Sequence, residues 1–190
     1  MLFRSWIPIE REHKSSTLTP PHHLQKSFHL RGEYLKISNL RMMSREKSLI
    51  GWREFVSLPE LRAENIKVKV DTGARTSSLH VSDLKVFRID GAPFVKFTIH
   101  PTQKKTLPAV EATSELKDIR YVRSSSGKKT LRPIIHTPII LGDEVFLIEL
   151  NLVNRDMMGF RMLLGRTAIK NRFIVDTAKS FLLGEPRPKR

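Results

Sequence analysis

Ile66-Lys67-Val68-Lys69-Val70-Asp71-Thr72-Gly73-Ala74-Arg75-Thr76-Ser77-Ser78-Leu79-His80 is the stretch whose reading decides the fold. Ile66, Val68 and Val70 alternate with Lys67 and Lys69, the two-residue period of a strand with one buried face. That strand then delivers an acid, a hydroxyl and a glycine in succession. A carboxylate at the end of a buried strand is costly unless it is hydrogen-bonded or shares a proton, so Asp71 either has a partner or does chemistry. Gly73 admits the close approach of another backbone where a Cβ would collide. Taken alone, the turn also fits an aspartate that merely ends a strand.

Outward from this stretch, the chain continues in short strands separated by turn signals. Trp52, Phe55, Val56 and Leu58 predict a strand ended by Pro59. Leu79 to Ile89 reads as extended up to the Asp90-Gly91 turn, and Val95, Phe97 and Ile99 alternate with Lys96 and Thr98 up to Pro101. Leu107 to Ala112 and Ile119 to Val122 are shorter candidates. Leu131 to Leu141 is apolar but reads as broken by Pro133 and Pro138 before Gly142-Asp143. Phe146, Ile148, Leu150 and Leu152 share one face of the clearest strand, with Glu149 and Asn151 on the other. Arg172 to Asp176 and Ser180 to Leu183 complete the set, and only Thr167 to Asn171 leaves room for a helix. The pattern predicts an all-β fold, a small closed or nearly closed barrel with one short helix.

Asp71-Thr72-Gly73-Ala74 after an apolar strand resembles the active-site turn of aspartic proteases, and Met162-Leu163-Leu164-Gly165-Arg166 resembles their apolar-apolar-Gly segment. Between the two, Val122-Arg123-Ser124-Ser125-Ser126-Gly127-Lys128-Lys129-Thr130 is a polar turn between candidate strands, in the place of that family's flap. Gly51-Trp52-Arg53-Glu54, Arg123-Ser124-Ser125 and Asn154 to Arg166 bring the match closer to one bacterial group. They are similar to the retropepsin-like proteins labelled ATP-dependent zinc proteases. The resemblance runs from about Leu49 to Gly184.

The resemblance implies an aspartic endopeptidase with a retropepsin-like barrel. Two carboxylates share one proton, one acting as general base on a water while the other polarises the scissile carbonyl. One Asp-Thr-Gly supplies half of that pair, so the implied molecule is a homodimer placing Asp71 beside its twin. Thr72 would hydrogen-bond across the interface, Gly73 and Ala74 would form the close loop contact, and Leu163, Leu164 and Gly165 would brace the loop from behind. Arg75, Arg166, Ser125, Ser126 and Gly127 are the implied substrate-binding candidates. Arg75 departs from the viral retropepsins, which carry an acid there to pair with the arginine of the apolar-Gly-Arg segment. Relatives similar to proteins encoded near ATP-grasp glutamate ligases imply an acidic or ribosomal-protein substrate, or a ligase partner. A catalytically silent barrel that grips acidic peptides or the ligase is the alternative.

Val175-Asp176-Thr177-Ala178-Lys179-Ser180 looks like a degraded copy of the Asp71 stretch, with Ala178 at the glycine position. A Cβ there would obstruct the loop contact, so no one-chain dyad is expected. The zinc part of the label finds no His-Glu-x-x-His motif; His80, His100 and His136 are scattered, and no metal site is assigned. No Gly-x-x-x-x-Gly-Lys-Ser/Thr loop for ATP is present, and no cofactor is assigned.

The chain has 190 residues, 39% of them hydrophobic, enough for one domain with an appendage. Residues 1–48 carry Ser15-Ser16-Thr17, Pro20-Pro21 and single hydrophobics without a period, and read as a flexible basic arm or as sequence preceding a true start at Met42 or Met43. Residues 49–184 form the expected domain and 185–190 a charged tail. The formal charge of +15 favours acidic partners. With two Trp and two Tyr, the chain lacks the interleaved aromatics of a nucleic-acid-binding face. No apolar run reaches the roughly 18 to 20 residues of a membrane span. There is no secretory core at the start, so a cytoplasmic protein is expected. The absence of cysteine excludes disulfides and thiolate metal sites.

Overall fold

The computed structural model describes residues 46–101, 108–123, 127, 129–154 and 159–184. Eleven strands account for most of them. They are β1 (Ser48–Gly51), β2 (Arg53–Leu58), β3 (Ala63–Asp71), β4 (Ser77–Ile89), β5 (Ala92–Ile99), β6 (Val110–Glu115), β7 (Asp118–Arg123), β8 (Lys129–Leu141), β9 (Glu144–Val153), β10 (Met162–Gly165) and β11 (Phe173–Asp176). The single α-helix among the described residues, α1 (Arg166–Ile169), follows β10 directly, and a 3₁₀ turn covers Pro59–Leu61. No helix among them is long and apolar enough to cross a membrane.

The ladders run β10-β3-β2-β8-β9-β4, and β4 pairs back onto β10, so six strands close into a ring. Closure leaves those strands without the unpaired edges that invite aggregation. β5 and β6 extend from β4, and β7 pairs with the open end of β8. Within the ring Ile66, Val68, Leu79, Val81, Ile135, Ile139, Leu150 and Leu164 are fully or almost fully shielded from solvent. The alternation of Ile66, Val68 and Val70 with Lys67 and Lys69 therefore has the predicted cause: one face of β3 forms the barrel core.

The turns obey local chemistry. Asp90 and Gly91 both have positive φ, 48° and 80°, as a two-residue hairpin with the right twist demands. At the β8–β9 turn Gly142 alone has positive φ, 59°, the pattern that calls for glycine first.

Four expectations need correction. First, β8 is one thirteen-residue strand and not two pieces broken by Pro133 and Pro138. Pro133 lies just beyond the last β8–β9 pair, Ile134 with Asn151. Pro138 lies three residues from the turn-closing pair Leu141–Glu144, where alternation leaves its nitrogen without a bond to make in that ladder. Second, Ser180 to Leu183 is not a strand; its backbone turns instead around a buried acid. Third, Asn151, expected on the polar face of β9, is 1% exposed. Fourth, β1 precedes the first expected strand, pairing in parallel with β11. Leu107 lies outside the described residues, and the strand expected at that point runs over Val110–Glu115.

The buried acid is Glu54, fully shielded in β2. Its Oε1 accepts the backbone N–H groups of Gly51 at 2.7 Å and Leu182 at 2.9 Å, and Oε2 accepts that of Leu183 at 3.4 Å. A side chain in a strand thus satisfies donors that no ladder reaches and pins the C-terminal segment to the barrel. Glu54→Ala leaves these donors unpaired and is expected to lower stability by about 3 kcal/mol, read as an earlier denaturation midpoint in urea. A shift of less than about 1 kcal/mol would contradict that role.

Candidate active site

β3 and β10 lie side by side in parallel, with Leu163 opposite Lys69, Leu164 opposite Val70 and Gly165 opposite Asp71. The apolar-apolar-Gly segment and the acid turn, far apart in sequence, therefore end at the same level of the barrel. Asp71 is half-buried, with Thr72, Gly73 and Arg75 exposed beyond it. Asp71 Oδ1 accepts the backbone N–H groups of Gly73 at 3.1 Å and Ala74 at 3.0 Å. These two bonds fold the loop around its own carboxylate. Among the described residues Oδ2 accepts no hydrogen bond of this kind.

The loop is held from behind with equal economy. The Ala74 carbonyl accepts the Arg166 N–H at 2.9 Å, and the Arg75 carbonyl accepts the Thr167 N–H at 3.1 Å and its hydroxyl at 2.8 Å. Arg166 Nη1 donates to the Gly73 carbonyl at 3.1 Å. Three consecutive loop carbonyls are thus taken by the first two residues of α1. Gly165 is needed for this contact, because a Cβ there would sit 2.5 Å from the Thr76 carbonyl carbon and 2.6 Å from its oxygen. At Gly73 a Cβ would meet the Asp71 Oδ1 at 3.3 Å, a tight contact with the carboxylate itself. Leu164 and Gly165 are buried and Leu163 is half-buried beside the loop.

Arg166 thereby finds a backbone carbonyl in place of the acid that Arg75 cannot provide. Arg75 lines a cleft of about 250 Å³ together with Thr76, Leu147, Glu149 and Thr167. Glu149 is engaged at the cleft's edge by Arg120 Nη2, 2.5 Å from Oε2. The hydrogen bond it donates to that carboxylate holds the Arg120 guanidinium above its ordinary range. The strands expected to flank the flap do pair, Val122 with Thr130 and Arg123 with Lys129, and Gly127 turns between them with φ of 79°. Ser125 and Ser126 lie outside the described residues.

The other sequence candidates are dispersed. Asp176 ends β11 opposite Gly51, and its Oδ1 accepts the Ala178 N–H at 2.9 Å, so the echo of the acid turn is a turn of similar local form on the separate β1–β11 sheet. His80 is buried in β4 and His136 lies 4.0 Å from Glu149. His100 Nε2 is 3.0 Å from Ser82 Oγ at a bulge in β4. Hydrogen bonds from Ser82 and then Thr98 hold the neighbouring Asp83 carboxyl below its ordinary 3.8. Among the described residues no three His, Cys, Asp or Glu side chains converge as metal ligands.

The sequence reading missed Asn151. From β9 its Nδ2 donates to the Ser77 carbonyl at 2.6 Å, on the strand leaving the acid loop, and its Oδ1 accepts from Arg132 at 2.9 Å. The available signal was an uncharged amide within Leu150-Asn151-Leu152-Val153, all four of which are buried. Burial on both faces makes an alternating polar residue an internal partner and not a solvated one.

The family model described as "Retropepsin-like aspartic endopeptidase RimB" matches residues 49–186. A protein of Shewanella pealeana named "Probable alpha-L-glutamate ligase" is 43% identical over 143 residues, 75% of this chain and 31% of that protein. One of Desulfotalea psychrophila with the same name is 44% identical over 139 residues, 73% of this chain and 30% of that protein. The chain thus spans about a third of the length of the curated relatives it matches. A crystal structure of a Legionella pneumophila protein of unknown function superposes with a TM-score of 0.60 at 29% identity, covering 73% of this chain and 99% of that one.

Proposed function

This chain belongs to the RimB-like family of retropepsin-like aspartic endopeptidases, and from that premise we propose that it hydrolyses peptide bonds with Asp71 paired to its twin in a homodimer. The observation that carries this reading is the acid loop itself: rigidly held on its inner side by α1, with Asp71 fixed by two N–H groups and Thr72 and Gly73 exposed on the outer side. An aspartate needed only to end a strand has no use for so much reinforcement behind an exposed face.

In the dimer one carboxylate takes a proton from water as the oxygen bonds to the peptide carbonyl carbon. The protonated partner donates to the carbonyl oxygen, and the tetrahedral intermediate collapses as the C–N bond breaks and the nitrogen takes a proton. Thr72 hydrogen-bonds across the interface, Gly73 permits the approach, and Ala74 with Leu163, Leu164 and Gly165 supports the loop. Gly127, together with Ser125 and Ser126, is a proposed substrate contact.

The substrate proposed is an acidic peptide. The formal charge of +15 and the exposed Arg75 and Arg166 beside the acid favour it. The glutamate-ligase name of the longer relatives points the same way, toward glutamate-bearing segments; a ribosomal protein or a ligase is the partner proposed. A second reading keeps the barrel and the grip on acidic peptides without turnover, and the same relatives' name favours it. Digestion of a peptide library enriched in glutamate, with and without an aspartic-protease inhibitor, separates the two. Inhibitor-sensitive cleavage is expected; tight binding of acidic peptides without any cleavage would establish the second reading.

A further inference from the structure

We propose that Asn151 is a positioning residue that locks the β7–β8 hairpin and the acid loop into one register, so that the two shift together. Its catalytic consequence rests on the peptidase reading above; the mechanical coupling does not.

Asn151 stands in β9 with Ser78 of β4 opposite on one side and Ile134 of β8 opposite on the other. Its Oδ1 accepts from Arg132 Nη1 at 2.9 Å and from Ser78 Oγ at 3.0 Å. Its Nδ2 donates to the Ser77 carbonyl at 2.6 Å and lies 3.4 Å from Thr76 Oγ1. Ser77 Oγ in turn accepts the Gly165 N–H at 3.1 Å. On the hairpin side, Arg132 Nε donates to Thr130 Oγ1 at 2.9 Å, within two residues of the last hairpin pair, Arg123 with Lys129. One side-chain amide therefore joins the base of the hairpin, the exit of the acid loop and the glycine that braces the loop.

The chemistry of the position admits few substitutes. Arg132 is 7% exposed, so removing an acceptor from its guanidinium is costly. Aspartate would still accept from Arg132 but would set a carboxylate against the Ser77 carbonyl, with no N–H to give it. Leucine offers neither bond. The asparagine amide accepts from the hairpin and donates to the loop through one side chain, which adds a direct link between the two segments to the ladders they share.

Hydrogen exchange of the full chain, followed by mass spectrometry, tests this. Asn151→Ala is expected to speed amide exchange about tenfold in both 72–80 and 118–134 while β5 keeps its wild-type rate. Ser78→Ala is expected to loosen 72–80 alone. If Asn151→Ala does not fold, Asn151→Asp decides, with 72–80 loosened and the hairpin protected. Wild-type exchange in either segment of Asn151→Ala, an equal rise in β5, or any other pattern in Asn151→Asp overturns the proposal. On a peptide that the wild type cuts, Asn151→Ala should both lower kcat and raise KM by about tenfold, whereas Ser78→Ala should lower kcat at unchanged KM. If the wild type cuts no peptide, the peptidase reading has failed and the exchange result still judges the coupling.

Discussion

Asp71→Asn is expected to lower cleavage by about 10³-fold or more while leaving the fold and the subunit association intact. The amide is nearly the same size, and its Oδ1 can still accept the Gly73 and Ala74 N–H groups that shape the loop. What it cannot do is take a proton from water. A change confined to rate, with circular dichroism, melting temperature and sedimentation unchanged, separates loss of chemistry from loss of structure. Cleavage within a few fold of wild type would refute the role of Asp71.

Gly165→Ala is the second large effect, and here both structure and activity should suffer. The added Cβ would lie 2.5 Å and 2.6 Å from backbone atoms of Thr76, and backbone in the closed ring has little room to yield. A loss of about 3 kcal/mol or more is expected, in the range where overpacking becomes severe. Because Gly165 N–H also donates to Ser77 Oγ, the loop exit shifts with it. The same substitution at Gly73 makes an instructive contrast. Its Cβ would meet only the Asp71 Oδ1, at 3.3 Å, so Gly73→Ala should fold normally but lose activity through a displaced carboxylate and a blocked partner. Denaturation curves and rates for the two variants distinguish a brace from a contact surface.

The fold was legible where chemistry is local. Ile66, Val68 and Val70 declare their face by spacing alone, and Asp90-Gly91 declares a hairpin by the backbone angles it tolerates. The juxtaposition of Gly165 with Asp71 was legible only through family resemblance, since no periodicity tells which distant strand lies beside which. Three features stayed hidden for related reasons. Glu54 shares the buried face of its strand with Val56 and Leu58, and spacing alone does not say what satisfies a carboxylate there until the C-terminal turn brings Leu182 and Leu183 to it. Asn151 looks outward-facing until Ser77 and Ser78 of β4 and Arg132 of β8 are seen to bond to it. Pro133 and Pro138 look like breaks until the ladders on each side of β8 are known, because a proline interrupts pairing only where its nitrogen has a partner.

The central claim is that the active unit contains two copies of Asp71, one from each chain, and mixing subunits tests it most directly. Wild-type and Asp71→Asn chains, denatured together in equal amounts and refolded to exchange partners freely, should retain roughly a quarter of the all-wild-type activity, because only the doubly wild-type pairs carry two acids. Retention of roughly half, in proportion to the wild-type chains present, would show that each chain works alone and would contradict the account.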